Sequence, residues 1–372
     1  MEASETLRAA LRLHLAEGVG AVTYRRLVEA FGGPAETLAA GAGQWRRVEG
    51  VGEKTSAAIA AVTDEQVDEE LAEAQRHGAR IYCQSDADFP AALRTIYDCP
   101  AVLYVLGELR PSDAVAVGVV GSRRCTHYGQ EQSARFGQLL GRAGFTVVSG
   151  GARGIDAAAH RGALDAGGRT VAVMGCGLAA LYPPENAALF GRILDEGRGA
   201  IVSELPMRTA VLGGNFPTRN RILSGLSLGV LVIEAARRSG SLHTARESAE
   251  QGRVVFALPG RVDSPLSQGT NDLIRNGAIL VQNLDDLLEH LGEVGEKMTV
   301  DESAAVAPRG MDDVERKLYA ALEEGSLGLD ELVRRTGIAS GQAASAMTML
   351  VLKGAVVQRA GNVFARQGGA RT

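Results

Sequence analysis

Residues 147–160 read VVSGGARGIDAAAH, a β-branched pair followed by small residues, an arginine, a glycine and an alanine-rich stretch. The order is that of a strand, a tight turn and a helix. Such a turn can direct backbone N–H groups and a helix N-terminus at an anion, most often a phosphate. Gly150, Gly151 and Gly154 would let the backbone approach that anion closely. Ser149 and the amides around Arg153 would complete the nest, and Asp156 reads as a helix cap rather than a catalytic acid.

Three other stretches carry similar chemistry. VAVGVVGSRR ends a strand-like run with Gly121, Ser122, Arg123 and Arg124. In GGNFPTRNRILSGLS (213–227), Pro217 biases Phe216 towards an extended backbone, and Arg219, Asn220 and Arg221 follow at once. Two guanidiniums around a carboxamide favour an oxyanion site over pairing with a local carboxylate such as Glu204 or Glu234. In VIEAARRSGSLHTA, Ser239, Gly240, Ser241 and Thr244 stand at a helix start, equally suited to phosphate and to internal bonding.

These turns need a scaffold that brings them to one edge. Short apolar runs at 115–122, 145–150, 169–175, 199–204, 228–235 and 253–260 alternate with helical stretches such as 129–143 and 156–167. That alternation implies an α/β fold with a parallel sheet covered on both faces, whose ligands gather at the carboxyl ends of the strands. The first strand lacks a GxGxxG turn and its downstream acid, and no lysine follows a glycine run. A dinucleotide cofactor and a P-loop nucleotide are therefore disfavoured.

The chain has 372 residues, 45% hydrophobic and 22% charged, enough for two or three domains. Its net charge of −5 conceals a segregation. Residues 115–280 hold eighteen arginines, no lysine and twelve acids, a local balance of +6 that suits phosphate. The four cysteines and six histidines have no metal-ligand spacing. No secretory signal and no apolar run long enough for a bilayer is visible. A cytoplasmic protein with buried, reduced cysteines is expected.

Four parts are expected: a helical segment over 1–75, the sheet domain over 76–291, an acidic linker over 292–310 and a small module over 311–368. The first repeats a phrase, EGVGAVTYRRL (17–27) and EGVGEKTSAAI (49–59), in the manner of helix-hairpin-helix turns. These either present amides to DNA or simply turn a helical bundle. The last reads as three helices and a two-stranded wing, a winged helix with balanced charge, better suited to a protein partner than to duplex reading.

VVGSRR, SGGARGID, GCGLAALYPPEN, NFPTRNRILSGLS, VIEAARRSGSLHTA, GRVVFALPG and QGTNDLIRNGA follow in this order. Together, over about residues 80–290, they closely resemble the DNA-processing protein A (DprA, or Smf) family. The resemblance implies an extended Rossmann-like domain that binds single-stranded DNA, protects incoming strands in natural transformation or serves repair, and helps load the recombinase RecA. It implies a homodimer working beside single-strand-binding protein, with no cofactor and no catalysis. The rival reading is a Rossmann-like nucleotide N-glycosidic hydrolase of the lysine-decarboxylase-like type. That family's PGGxGTxxE phrase is replaced here by SGSLHTARE, with Glu247 nearby.

Overall fold

Apolar runs punctuated by glycine form the strands. In the computed structural model, which describes residues 3–292, 311–323, 325–352, 355–359 and 363–366, the runs become β3 (Ala116–Val120), β4 (Thr146–Ser149), β5 (Thr170–Val173), β6 (Gly199–Ser203), β7 (Gly229–Val232) and β8 (Val254–Ala257). Two strands outside the expected set, β1 (Arg80–Cys83) and β2 (Val102–Gly107), and the short β9 (Ile279–Leu280) complete a nine-stranded sheet. Its order is β1-β2-β6-β5-β4-β3-β7-β8-β9. From β6 to β9 all pairings are parallel, while β1 and β2 join antiparallel at one edge. The sheet is Rossmann-like. From β3 the chain first builds β4, β5 and β6 on one side, then returns to place β7 on the other. The reversal opens a crevice at the carboxyl ends of β3, β4 and β7.

Both faces are covered, as continuous apolar strands require. On one face Val117, Val119 and Val147 meet helices α8 (His127–Arg142) and α9 (Ile155–Asp165). On the other, Val120, Val148 and Val173 meet α11 (Asn215–Gly225) and α12 (Ser241–Glu250). Helix α10 (Ala187–Asp195) lies near the β6 end, and its Phe190 and Ile193 share a core with Leu11 and Leu13 of the first helix, Glu5–Leu15. The N-terminal helices therefore pack on the sheet domain directly. Met1–Val300 forms one compact unit and Asp301–Thr372 another.

The alanine-rich text of the opening motif has a packing cause. Helices α8 and α9 touch through small residues. A Cβ on Gly137 would lie 2.4 Å from the Ala159 carbonyl oxygen, and one on Gly162 2.2 Å from that of Ala134. His160, which ends the motif, is fully buried. Its Nδ1 lies 2.6 Å from Thr170 Oγ1, whose own proton goes to the Val147 carbonyl. Nδ1 thus carries the imidazole proton, and burial lowers the pKa to about 3.

The repeated N-terminal phrases fold as a facing pair. Each contains a glycine with positive φ, Gly18 at 86° and Gly50 at 87°, before a helix capped by Gly20 or Gly52. Arg26 of the first phrase reaches the Glu49 carbonyl of the second at 3.2 Å, and Lys54 of the second reaches Glu17 of the first at 3.1 Å. In the C-terminal unit, helices Asp313–Ala321, Leu329–Thr336 and Ser340–Leu352 combine with a winged-helix sheet. That sheet has three strands, because β10 (Leu327–Gly328) joins β12 (Val363–Arg366) beside β11 (Val356–Arg359). Of the expected linker, residues 293–310 lie outside the described residues.

The α8–α9 contact makes a direct prediction. Gly162→Val should lower stability by about 3 kcal/mol or more, at the upper end of overpacking costs. A urea midpoint unchanged from the parent would contradict this register of the two helices.

Candidate nucleic-acid interface

The loop after β3 is fixed from the neighbouring strand. Glu234, two residues past β7 and 2% exposed, accepts the Ser122 amide at its carbonyl (2.8 Å). Its carboxylate accepts the Thr126 amide (2.7 Å) and the Thr126 hydroxyl (2.8 Å). Ser122 Oγ then accepts the Arg124 amide at 3.1 Å. Gly121 is required, since a Cβ there would lie 2.6 Å from Ile155 and 2.9 Å from the Glu234 carbonyl oxygen. The outcome is a rigid loop with Arg123 and Arg124 exposed at its tip. This use of Glu234 is not legible in the sequence, because the two partners lie 108 residues apart.

The glycine turn after β4 is organised around a carboxylate of the protein itself. The Gly150 and Ala152 amides donate to Asp156 Oδ2 at 3.1 and 3.3 Å. Ser149 is fully buried and donates to the Val119 carbonyl at 2.6 Å. The expected phosphate nest is corrected accordingly: two of its amides and its hydroxyl have internal acceptors. Gly154 still serves close approach, with φ of 76° and a Cβ position only 2.4 Å from the Ser122 carbonyl oxygen. Gly151 also has positive φ, 65°, and its carbonyl accepts from Asn186 Nδ2 at 2.9 Å. Asn186, from the LYPPEN phrase, is a support that the sequence reading did not single out.

Arg219 and Arg221 face inward, which corrects the expectation of an anion-binding cluster. The Arg219 residue is 5% exposed, and its guanidinium donates to the Gly150 carbonyl (2.8 Å) and to Asn220 Oδ1 (3.2 Å). Asp156 lies across Gly150 from it: a Cβ on that glycine would be 2.5 Å from Arg219 Nη2 and 2.7 Å from Asp156 Oδ2. Burial raises the Asp156 pKa and lowers that of Arg219 to about 10, while each charge opposes the other's shift. Arg221, 5% exposed, joins Glu204 and also Asp98, the latter at 3.0 Å. Buried guanidiniums need such internal partners. Helix α11 begins at Asn215, so Phe216 is helical rather than extended, and Pro217 occupies the first turn, where its missing N–H leaves no bond unmade.

The hydroxyls at the start of α12 also turn inward. Ser241 and Thr244 are 6% and 2% exposed, and Ser239 Oγ bonds Ser241 Oγ at 2.8 Å. For Ser239 and Ser241 this is the second of the two open readings, internal bonding, while Thr244 is simply buried.

What remains outward is cationic and aromatic. The Arg123 guanidinium stands 4.8 Å from the centre of the Phe216 ring, and that of Arg153 5.7 Å from the Tyr182 ring. The two rings are 6.2 Å apart and tilted by 50°. Arg123, Gly150, Arg153, Tyr182 and Phe216 line one small pocket at the ends of β3 and β4. Arg153 also pairs with exposed Glu185 at 2.6 Å, a contact that water and salt weaken. Glu247 is not part of this group; the charges that act on it are Asp98, Glu250, Arg221 and Arg246. Among the described residues no cluster of His, Cys, Asp and Glu could hold a metal, and no helix is long and apolar enough to cross a membrane.

The family model described as DNA recombination-mediator protein A matches residues 80–292. The chain belongs to that family. A second model, the DprA winged helix domain, matches residues 302–362. Protein Smf of Escherichia coli K12 is 48% identical over 208 residues, covering 56% of this chain and 55% of that protein. Protein Smf of Synechocystis is 35% identical over 330 residues, covering 80% and 82%. The X-ray structure of DprA from Streptococcus pneumoniae aligns with a TM-score of 0.67 at 32% identity, covering 78% of this chain and 99% of the other. A Helicobacter pylori DNA processing protein A structure, described for its single-stranded DNA binding mode, aligns at 0.51 and 28%, covering 59% and 98%. A DNA-processing, recombination-mediator role follows for this DprA family member.

Inward and outward arginines should separate by experiment. Arg219→Ala leaves buried Asp156 without its opposing charge and should cost about 3–5 kcal/mol of stability. Arg123→Ala, at an exposed site, should stay within about 0.5 kcal/mol of the parent. Urea unfolding of both variants checks this, and equal midpoints would contradict the assignment of Arg219 as a support.

Proposed function

We propose that this protein binds single-stranded DNA at the rim formed by Arg123, Arg124, Arg153, Tyr182 and Phe216, and mediates recombination by holding the strand for a recombinase. The observation that carries this reading is the pair of exposed guanidiniums set beside two half-buried aromatic rings. The cations take consecutive phosphates, and a ring face takes an unpaired base. In a duplex the bases are already stacked and paired, so the aromatic contact is lost and only the phosphate term remains.

Family membership and the Helicobacter pylori relative support single-stranded DNA as the ligand. Loading of RecA, displacement of single-strand-binding protein, action as a homodimer in the cytoplasm, and the absence of catalysis rest on the family resemblance. A protein partner for the C-terminal winged helix rests on its balanced charge.

Fluorescence anisotropy with a labelled strand and its duplex, across a salt series, tests the proposal. Single-strand affinity should fall linearly in log salt, and the duplex should bind more weakly throughout. Phe216→Ala should cost the single strand about 1–3 kcal/mol of binding and leave the duplex nearly unchanged. Equal affinity for the two forms, or no single-strand binding at low salt, would overturn it.

A further inference from the structure

A second cationic group occupies the same edge of the sheet. Strands β3 and β7 are parallel neighbours, with Gly118 opposite Val230 and Val120 opposite Val232. Their following loops therefore leave the sheet on the same side. The loop after β7 ends in Arg237 and Arg238, both exposed. Arg237 bonds Asp272 at 3.2 Å, and the same carboxylate accepts from Arg275 at 2.7 Å. Arg238 has no ion pair among the described residues. Two guanidiniums thus share one carboxylate and a third has none, a local surplus of two positive charges. The loop is held in register with the β3 loop by the Ser122 amide on the Glu234 carbonyl (2.8 Å), and with α13 (Gln268–Arg275) by the Gly269 amide on the Ala235 carbonyl (2.7 Å).

We propose that the DNA strand continues from the Arg123–Arg153 pocket across β3 to the end of β7, where Arg237 and Arg238 hold the backbone phosphates that follow. The inference rests on the single-strand reading above and adds a direction to it. Two strand spacings of about 4.8 Å separate β4 from β7, so the edge spans roughly 10 Å, more than one phosphate. The intervening edge carries Arg123 and Arg124, both exposed and with no ion-pair partners among the described residues. A compact anion would be satisfied at either end alone. An extended polyanion satisfies both.

The full chain carrying Arg237→Ala and Arg238→Ala is compared with the parent on oligodeoxythymidylates of four and twenty nucleotides, by anisotropy over a salt series. Both side chains are exposed, and an unchanged urea midpoint verifies the fold. On the twenty-nucleotide strand the double variant should bind roughly tenfold more weakly at 0.1 M salt, with a salt slope shallower by about 1.4 for two lost phosphate contacts. On the four-nucleotide strand it should match the parent, whereas Arg123→Ala should weaken both. Parent-like binding of the longer strand by the double variant, with Arg123→Ala still impaired, would overturn the path while sparing the pocket. Loss of no affinity in either variant would overturn the pocket reading itself.

Discussion

One glycine separates two buried charges, and the binding rim depends on that arrangement. Gly150 sits between Arg219 and Asp156 with no room for a side chain on either side. Arg219 holds its carbonyl and Asp156 its amide, so the two peptide groups that flank this one residue are both fixed at the turn after β4. Neither charge is free to meet a ligand. Their effect is to fix the backbone from which Arg153 projects, and Arg123 stands at the pocket's other wall. A flexible turn would have to be ordered on binding at a cost in entropy, and this one is ordered beforehand.

The same division of labour holds along the whole edge. Glu234 fixes the β3 loop, Asn186 the β4 turn, and Glu204 with Asp98 the middle of α11 through Arg221. Asp156, Glu204 and Glu234 are engaged inside the domain, while Arg123, Arg124 and Arg153 at the tips keep their charge outward. The regional balance of +6 in a chain of −5 therefore becomes a surface property. In the N-terminal segment the opposite occurs: Arg26 and Lys54 are bound to Glu49 and Glu17 of the facing phrase.

The parallel strands were legible because both their faces are buried, which leaves uninterrupted apolar text between glycines. Strand β2 was equally apolar in AVLYVLG, but its pairing is antiparallel and no helix follows it in the regular alternation, so the pattern passed over it. Of the candidate site, Arg123, Gly150, Arg153 and Phe216 meet in one pocket, as their places at strand and helix ends implied. Arg219, Arg221, Ser149, Ser241 and Thr244 turn inward. Residue type alone does not distinguish an arginine that binds an external anion from one that supports a loop; the choice depends on whether a carboxylate or carbonyl comes within reach from a distant part of the chain. Asp156 illustrates the point. Read as a helix cap, it accepts turn amides four and six residues back, where a phosphate was expected.

On this account buried arginines shape the rim while exposed ones hold the strand. The most direct measurement is a crystal structure of the chain with a short oligodeoxythymidylate. Phosphate oxygens within hydrogen-bonding distance of Arg123 and Arg153, a base against Phe216 or Tyr182, and Arg219 still on the Gly150 carbonyl would agree with it. A phosphate seated on Arg219 or on the Gly150 and Ala152 amides, with Asp156 displaced, would contradict it.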